Sequence, residues 1–295
     1  MLLDSASMYF RAFYGVPEKI TAPDGTPVNA VRGFLDNIAY LVRTRGPAGL
    51  VACMDASWRP EFRVALLPSY KAHRAKWNGD EDVPATLLPQ VPVIEECLDA
   101  LGIPRIGVHG YEADDVIGTL AARATTLVEV VSGDRDLFQV VDDDRQVRVL
   151  YIGRGVLKLQ VVDDEWLRQK YDVSGATYAD FACLRGDPSD GLPGVSGVGE
   201  RTAADLIRKY GDLAAMLAAA DAGSLPKGTA TKLAAARDYL AVAPQVVQVA
   251  TDAPVPDHDP ALPAEPADPQ RLVKLGERWG LDSPLNRVLT ALGHR

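Results

Sequence analysis

The 295-residue sequence has few cysteines and no long hydrophobic run. Its three cysteines form no CxxC pair, which argues against a disulfide framework and against a cysteine-ligated zinc site. No stretch approaches the ~18 apolar residues that cross a bilayer. The N-terminus has no basic segment followed by an apolar one, so no signal peptide is expected. These absences favour a protein of the reducing cytoplasm with no membrane partner.

The sequence also has no excess of basic residues. It contains 40 acidic and 31 basic residues, for a formal net charge of −9. This balance argues against a protein that coats nucleic acid non-specifically and against polybasic attachment to anionic lipid. It is compatible with a small-molecule enzyme. The length fits one large domain or two ordinary ones, and a hydrophobic content of 47% supplies a sizeable core.

Strand and helix patterns alternate in the first half of the chain. Apolar runs predict strands at 1–3, 49–54, 103–108, 127–131 and 146–151, and amphipathic patterns predict helices at 30–45, 93–101 and 113–124. This alternation favours an α/β fold with a doubly wound, mostly parallel sheet. From residue 165 the pattern becomes helical, including a helix at 229–240. The apolar run at 245–250 is interpreted as a strand that rejoins the sheet.

Acidic residues follow four of the predicted strands, and a fifth acidic cluster lies in the helical half. Each one alone is typical of a turn or a helix cap. Because ligands bind beyond the carboxyl ends of parallel strands, we expect these side chains to converge. Converging carboxylates repel unless cations compensate them, and no Cys or His ligand is interleaved, which predicts a Mg²⁺ or Mn²⁺ site. Two such ions would suit displacement at phosphorus. The candidate ligands are Asp4, Asp55, Glu112, Asp114, Asp115, Asp134, Asp136, Asp187 and Asp190.

Residues 59–76 carry five basic residues against one acidic residue, with aromatic residues among them. Basic residues interleaved with aromatics suit a single nucleic-acid strand, whose bases stack and whose phosphates attract cations. A solvated amphipathic helix remains the alternative.

A second segment, residues 192–203, is rich in glycine and leads into a helix. Its backbone groups could hold a phosphate or a monovalent cation, and a plain helical connector is the alternative.

Taken together, these motifs resemble the bacterial 5′ nuclease family, which comprises the 5′→3′ exonuclease domain of DNA polymerase I and stand-alone flap endonucleases. The resemblance covers nearly the full length in order. It rests on Leu3-Asp4 with Phe10-Arg11, Met54-Asp55, Phe62-Arg63, Tyr70-Lys71-Ala72-His73-Arg74, Gly110-Tyr111-Glu112-Ala113-Asp114-Asp115, Gly133-Asp134-Arg135-Asp136-Leu137 and Gly186-Asp187-Pro188-Ser189-Asp190 followed by Leu192-Pro193-Gly194-Val195.

The resemblance implies a residue-level assignment. The first metal group would comprise Asp4, Asp55, Glu112, Asp114 and Asp115, and the second Asp134, Asp136, Asp187 and Asp190. Lys71 and Arg74 would be catalytic, at the base of a helical arch over about 59–88. DNA would be contacted by Arg11, Arg63, Tyr70, Lys71, Arg74, Gly194, Gly197, Gly199 and Arg201. Residues 186–210 would form a helix-hairpin-helix, with K⁺ as a candidate ligand.

The implied organisation is a PIN-like core over 1–164 with the arch, a helical region over 165–251, and a Pro-rich acidic connector with C-terminal helices over 252–295. The implied function is a divalent-metal-dependent, structure-specific 5′ nuclease that leaves a 5′-phosphate and a 3′-hydroxyl. Its partners would be DNA with 5′ flaps, 5′ ends or nicks, and a sliding clamp or DNA polymerase. We expect a monomer in the cytoplasm, at the bacterial nucleoid.

The sequence departs from the family pattern at three positions. Ser5 stands where glycine is usual, Gly191 where asparagine is usual, and Ser196 where lysine is frequent. None of these changes removes a carboxylate, so activity is expected to survive. Two alternatives remain open: a PIN-type ribonuclease, which usually lacks the arch and hairpin, and a non-catalytic DNA-binding paralogue, which would be expected to have lost metal ligands.

Overall fold

A six-stranded sheet organises the first half of the chain in the computed structural model, which describes residues 1–76 and 80–293. The strand order is β3-β2-β1-β4-β5-β6, and neighbouring strands are parallel except for β5 and β6. This confirms the mostly parallel sheet, while β6 lies outside the predicted strands. The strands are β1 (Leu2–Asp4), β2 (Val51–Cys53), β3 (Arg105–Ile106), β4 (Val128–Ser132), β5 (Val147–Tyr151) and β6 (Gln160–Val162). Strand order reverses at β1, so a crevice is expected past the carboxyl ends of β1 and β4.

Helices connect the strands and make up most of the second half. They are α1 (Ser5–Gly15), α2 (Asn29–Arg45), α3 (Glu61–Leu66), α4 (Gln90–Leu101), α5 (Ala113–Arg123), α6 (Asp164–Tyr171), α7 (Gly175–Arg185), α8 (Glu200–Tyr210), α9 (Leu213–Asp221), α10 (Lys227–Ala235), α11 (Arg237–Val247), α12 (Pro269–Trp279) and α13 (Asp282–Ala291). Short 3-10 turns lie at Ala72–Arg74, Asp136–Val140 and Val156–Lys158. In the part of the chain that the structure describes, no helix combines the length and the apolar character that a bilayer span requires.

The sheet separates two hydrophobic cores. Leu2 and Leu3 are adjacent in β1 and point to opposite faces, as strand geometry requires. Leu2 belongs to a core that continues into α5 and into helices α6 to α11 of the second half. Leu3 belongs to a core formed with α2, α4, α12 and α13. The helical region and the C-terminal helices therefore cover different faces of the sheet.

The strand predicted at 245–250 is wrong, and so is the single helix predicted at 229–240. The structure places two helices there: α10, and then α11, which continues through Val246 to Val247. A short apolar run fits a strand and a buried helix equally well, because both need only a continuous apolar surface. Here Val246 and Val247 are buried in the core of the helical region, which decides the outcome.

The segment predicted as a helical arch is only partly helical in its described residues, 59–76 and 80–88. It holds α3, of six residues, and the 3-10 turn at Ala72–Arg74. Proline limits its helices, because Pro68 disfavours helical backbone in the residue before it and Pro84 lacks a backbone N–H donor. Trp77, the aromatic residue that follows the basic stretch, lies outside the described residues.

Candidate active site

Asp4 ends β1 and caps α1. Its Oδ1 accepts a hydrogen bond from the backbone N–H of Ser7 at 3.0 Å, the contact expected of an N-cap aspartate. Its Oδ2 accepts a second bond from the hydroxyl of Ser132 at 2.5 Å. Ser132 is the last residue of β4, the parallel neighbour of β1. The ends of β1 and β4 therefore fix this buried carboxylate at the point in the sheet where the strand order reverses.

The N-terminus of α5 brings two more carboxylates to the same edge. Glu112 is the N-cap residue and Asp114 lies in the first turn, where negative charge complements the helix dipole. Asp55, just past β2, accepts a hydrogen bond from the N–H of Ala113 at 2.7 Å. The position of each carboxylate, taken alone, is explained by its interaction with the N-terminus of α5. Because all three interact with the same helix end, they lie close to one another.

The turn after β4 carries Asp134 and Asp136. The N–H of Asp136 donates to Asp134 Oδ1 at 2.9 Å, and the N–H of Asp134 donates to the Ser132 hydroxyl at 2.8 Å. The N–H of Gly133 donates to the hydroxyl of Ser7 at 2.8 Å, which ties the turn to α1. Asp134 is consequently exposed at the crevice, and Asp136 is half-buried behind it.

The loop after α7 contributes Asp187 and Asp190 from the helical region. Asp187 Oδ1 accepts hydrogen bonds from the N–H and the hydroxyl of Ser189, at 2.8 and 2.6 Å. Gly191 has a φ of +73°, and a Cβ at this position would lie 2.1 Å from the carbonyl oxygen of Ser69. Glycine alone fits so close an approach. The departure at 191 therefore lets the loop pack directly on the segment that carries Lys71.

One open cavity of about 800 Å³ collects most of the predicted ligands. A smaller cavity of about 20 Å³ is lined by Asp136 and Asp190 and shares Glu112 and Asp114 with the first. Within residues 1–76 and 80–293, no three acidic, His or Cys side chains are grouped closely enough to hold an ion. The residues gather around one crevice without forming a closed coordination shell. The larger cavity is lined by Asp4, Asp55, Glu112, Asp114, Asp134 and Asp187.

Burial and mutual repulsion raise the pKa values of several of these groups. Burial is the main cause at Asp4, and together with the charges of Asp55 and Asp134 it raises the pKa of Asp4 to about 7 despite the hydrogen bonds that Asp4 accepts. Burial, followed by neighbouring carboxylates, raises the pKa values of Asp114 and Asp136 well above the usual range. Uncompensated oxygen donors of this kind fit a hard divalent cation.

Lys71 and Arg74 join the two groups of carboxylates. The Lys71 ammonium forms an ion pair with Glu112, and Arg74 Nη2 pairs with Asp190 Oδ1 at 2.8 Å. Burial is the largest single influence and disfavours the charged form of Lys71, but Glu112, Tyr70 and neighbouring aspartates together outweigh it, so the pKa of Lys71 is raised. Both cations line the larger cavity. The crevice therefore presents fixed positive charge beside its carboxylates.

Three predicted site residues are enclosed by the protein instead. The sequence predicts Arg63 and Tyr70 as DNA contacts, yet they are 2% and 5% exposed, and each donates a hydrogen bond to Glu112 Oε2 at 2.7 Å. Asp115, predicted as a metal ligand, is fully buried and accepts two hydrogen bonds of 2.7 Å from Arg63. It lines neither cavity of the crevice. The three assignments stay predictions; of these residues, Arg63 and Tyr70 line only the smaller cavity.

Arg11 lies in the larger cavity, as a DNA contact requires. Its Nη1 donates to the carbonyl of Gly153 at 2.9 Å and its Nη2 to the carbonyl of Gly133 at 3.0 Å. A Cβ at Gly133 would lie 1.8 Å from Arg11 Nε, so glycine makes room for the guanidinium. Arg11 is thereby held between two loops at the edge of the crevice.

Residues 194–199, the hairpin, lead into the N-terminus of α8. Gly194 and Gly197 have φ values of +65° and +71°, which favour glycine, and Gly199 is the N-cap residue of α8. Arg201 is exposed in the first turn. Exposed backbone N–H groups at a helix N-terminus form a site suited to phosphate. The hairpin therefore has the geometry expected of a backbone-binding element.

Three side chains outside the predicted set support these elements. The Ser132 hydroxyl orients Asp4 and the turn after β4, and the Ser7 hydroxyl holds that turn; the position of Ser132 at a strand end was a usable signal. Lys232, on α10, donates to the carbonyl of Gly197 at 2.8 Å. No local pattern connects Lys232 with the hairpin, because the two are 35 residues apart in sequence.

Two family models match the chain over residues 1–270. Residues 1–172 match the 5′-3′ exonuclease N-terminal resolvase-like domain, and residues 173–270 match the 5′-3′ exonuclease C-terminal SAM fold. A 5′-3′ exonuclease of Streptomyces coelicolor is 60% identical over 99% of this chain and 99% of its own. A 5′-3′ exonuclease of Mycobacterium tuberculosis is 52% identical over 99% of this chain and 97% of its own.

The fold also matches that of a solved phage protein. The bacteriophage T5 D15 flap endonuclease, crystallised in a complex with DNA and metal ions, superimposes with a TM-score of 0.65. The match covers 100% of this chain and 99% of that one at 17% identity, so it shows the shared fold alone. The family models and the two bacterial relatives go further, since they cover both halves of the chain. The chain belongs to the 5′-3′ exonuclease family.

Proposed function

We propose that this member of the 5′-3′ exonuclease family is a divalent-metal-dependent nuclease that acts on DNA with 5′ flaps, 5′ ends or nicks. One observation carries the proposal: carboxylates from three strand ends, from the N-terminus of α5 and from the loop after α7 surround one crevice, with Lys71 and Arg74 on its wall. The phage relative that shares the fold was solved with DNA and metal ions, which supports both ligand classes.

The oxygen-only donor set fits Mg²⁺ or Mn²⁺. We propose that Asp4, Asp55, Glu112 and Asp114 hold one ion. Two or more ions are proposed in all, the second with Asp134, Asp136, Asp187 and Asp190. Bound ions would supply a metal-activated water and would neutralise charge on the phosphate in the transition state. Asp115 is left out of the set because Arg63 occupies both of its oxygens.

The protein's own cations would then act on the substrate. Lys71 and Arg74 reach the carboxylates from one short segment: Lys71 precedes the 3-10 turn Ala72–Arg74, and Arg74 is its last residue. A phosphate that enters the crevice would meet both charges, which would orient it and stabilise the negative charge that develops on its oxygens. Each cation would have to exchange its carboxylate partner for the phosphate, a change that bound metal ions favour by taking over those carboxylates.

DNA binding would extend from the crevice to the hairpin. We propose that Arg11 contacts a phosphate beside the crevice, and that the hairpin with Arg201 holds the duplex backbone. A potassium ion at the hairpin carbonyls is part of the same proposal, although Lys232 already donates to one of them. We further propose a monomer that works in the bacterial cytoplasm, at the nucleoid, with a sliding clamp or DNA polymerase as its protein partner.

A cleavage assay tests the proposal. The protein is incubated with a 5′-labelled DNA flap, a nicked duplex and the matching RNA flap, with Mg²⁺, with Mn²⁺ or with EDTA. Metal-dependent cleavage of the DNA substrates is expected, with little cleavage of RNA. Preference for the RNA flap would favour a PIN-type ribonuclease. Binding of flaps without cleavage under any metal would favour a non-catalytic paralogue.

A matched pair of variants controls for charge. Asp114→Ala removes a carboxylate of the crevice, and Asp257→Ala removes an exposed one in the Pro-rich connector. We expect the first to abolish cleavage and the second to leave it unchanged. Equal effects of the two substitutions would show that net charge, rather than the crevice, governs activity.

A further inference from the structure

We propose that Arg63 is a positioning residue for cleavage, which fixes Glu112 and, through Glu112, the ammonium of Lys71. The proposal rests on the nuclease function proposed above and assigns an indirect role to a buried residue that lines only the smaller cavity of the crevice. It also replaces the DNA contact that the sequence indicates for Arg63.

Every donor of the Arg63 guanidinium has an acceptor. Nη1 donates to Glu112 Oε2 and to Asp115 Oδ2, both at 2.7 Å, and Nη2 donates to Asp115 Oδ1 at 2.7 Å. Nε donates to the carbonyl of Val246 at 2.8 Å, and Nη2 also to that of Gln248 at 3.2 Å. An arginine has five N–H donors in a rigid planar fork, so this network fixes its orientation.

The five acceptors come from two separate parts of the chain, and Arg63 itself comes from a third. Glu112 and Asp115 belong to the start of α5, which carries the crevice residue Asp114. Val246 and Gln248 lie at the end of α11, the last helix of the helical region. Asp115 Oδ1 also accepts from the N–H of Ala250 at 2.8 Å. Arg63 therefore connects the start of α5 to the chain segment that follows α11, and fixes the position of one relative to the other.

Glu112 passes this constraint into the crevice. Its Oε2 is occupied by Arg63 and by the hydroxyl of Tyr70, each at 2.7 Å. Its other oxygen, Oε1, is the partner of Lys71. With Oε2 held from behind, the carboxylate has one orientation, and Lys71 meets it from the side of the cavity. Loss of the guanidinium fork would free Glu112 to rotate and would let Lys71 move with it.

The charges of Arg63, Lys71, Glu112 and Asp115 cancel, which explains why these four residues hold one another in place and do not attract a cation. Arg63 and Lys71 balance Glu112 and Asp115, and all four are largely enclosed. By contrast, the crevice carboxylates Asp4 and Asp114 form no ion pair among the described residues. A displacement of about 1 Å in a group that orients the substrate can cost ~100-fold in rate, so rigid support matters for catalysis.

The test separates three roles for Arg63 with Arg63→Lys, which keeps the charge and loses the fork. Arg148→Lys is the matched control, because Arg148 also pairs with a buried glutamate, Glu129, away from the crevice. Three quantities are measured: the flap Kd in EDTA at several salt concentrations, the single-turnover rate with saturating enzyme and Mn²⁺, and Tm. We expect Arg63→Lys to slow cleavage by at least about 10-fold while the flap Kd stays within about twofold. Arg148→Lys should cleave at the wild-type rate.

Two results would overturn the inference. A wild-type rate for Arg63→Lys, with or without a lower Tm, would mean that Arg63 acts only in folding. A weaker Kd with a salt slope reduced by about one would mean that Arg63 contacts a phosphate. If Arg63→Lys does not fold, Asp115→Asn carries the same test, because it replaces the carboxylate that holds both Nη atoms of the Arg63 fork. It should slow cleavage at unchanged Kd, and a wild-type rate would again refute the role. Inactive wild-type protein would instead refute the nuclease function itself.

Discussion

The two edges of the sheet hold buried acidic side chains in opposite surroundings. At the carboxyl edge, burial raises the pKa of Asp4 to about 7, and nearby carboxylates add to the effect. At the amino edge, Glu129 near the start of β4 accepts hydrogen bonds from Arg45 and Arg148. Burial is the largest single influence and raises the pKa of Glu129, but the hydrogen bonds and the charges of both arginines together outweigh burial and hold the pKa below its usual range.

The difference separates a structural charge from a functional one. The protein itself neutralises Glu129 with two arginines, so that edge gains stability from its ion pairs. At the other edge, acidic groups such as Asp4 and Asp114 have no ion-pair partner among the described residues, so their charged forms destabilise the fold unless a cation binds. Glu129 lies near the start of β4, and the turn with Asp134 follows its end. A single strand therefore connects the neutralised acidic side chain to the acidic crevice.

The largest effect is expected from Asp134→Ala. Asp134 is exposed in the crevice, and loss of a proposed metal ligand should remove several kcal/mol of transition-state stabilisation, or about 1000-fold in rate. Flap affinity in EDTA should change little, because the hairpin and Arg11 remain. Single-turnover cleavage and anisotropy measure the two quantities. Loss of flap binding with an unchanged rate would contradict the ligand role.

A pH series distinguishes the two edges by stability. A raised pKa in the folded state means that Asp4 contributes stability at low pH, which is lost as pH rises through about 7. Asp4→Asn should therefore stabilise the metal-free protein at pH 8, by roughly 4 kcal/mol at most, and little at pH 4. Urea unfolding in EDTA gives the two free energies, and Mn²⁺ should raise the wild-type Tm more at pH 8 than at pH 5. A gain from Asp4→Asn that is the same at both pH values would show that Asp4 does not titrate in this way.

Lys71→Ala should reduce the single-turnover rate by about 100-fold, since it removes a fixed positive charge from the wall of the crevice. Lys170→Ala, on the exposed side of α6, removes the same charge elsewhere and should cleave normally. Rates at saturating enzyme separate the chemical step from binding. Equal rates for Lys71→Ala and the wild type would exclude a role in the transition state.

The strand-end rule predicted most of the crevice from the sequence. Asp4 and Asp134 each follow an apolar run, and parallel strands bring such positions to one edge whatever the details of packing. Short apolar runs were less informative, since the one at 245–250 contains the end of α11 and forms no strand. Helix α1 and strand β6 were also not predicted: α1 follows β1 with no residue between them, and β6 has only three residues.

The inward positions of Arg63 and Asp115 could not be predicted. In the sequence, Arg63 is one of five basic residues in 59–76, and nothing local distinguishes it from Arg74. The distinction arises when α3 meets the end of α11, which provides backbone carbonyls for one guanidinium only. Likewise, Asp114 and Asp115 are adjacent, yet a helix directs one to the crevice and the other to Arg63.

The smallest effect is expected at the amino edge, with Glu129→Gln. The substitution leaves Arg45 and Arg148 without their partner, and because both are partly exposed, the loss of unfolding free energy should be about 1–2 kcal/mol at pH 7. The lowered pKa means that Glu129 contributes above its unfolded value and loses this contribution as pH falls. The destabilisation caused by Glu129→Gln should therefore shrink as the pH falls towards 4. Asp4 behaves in the opposite way, because its contribution to stability is lost as the pH rises. Cleavage measured well below Tm should match the wild type, because the crevice lies at the other end of β4. A slower rate in Glu129→Gln, at full folding, would show that the two edges are coupled through the strand and that the division between structural and functional charge is too simple.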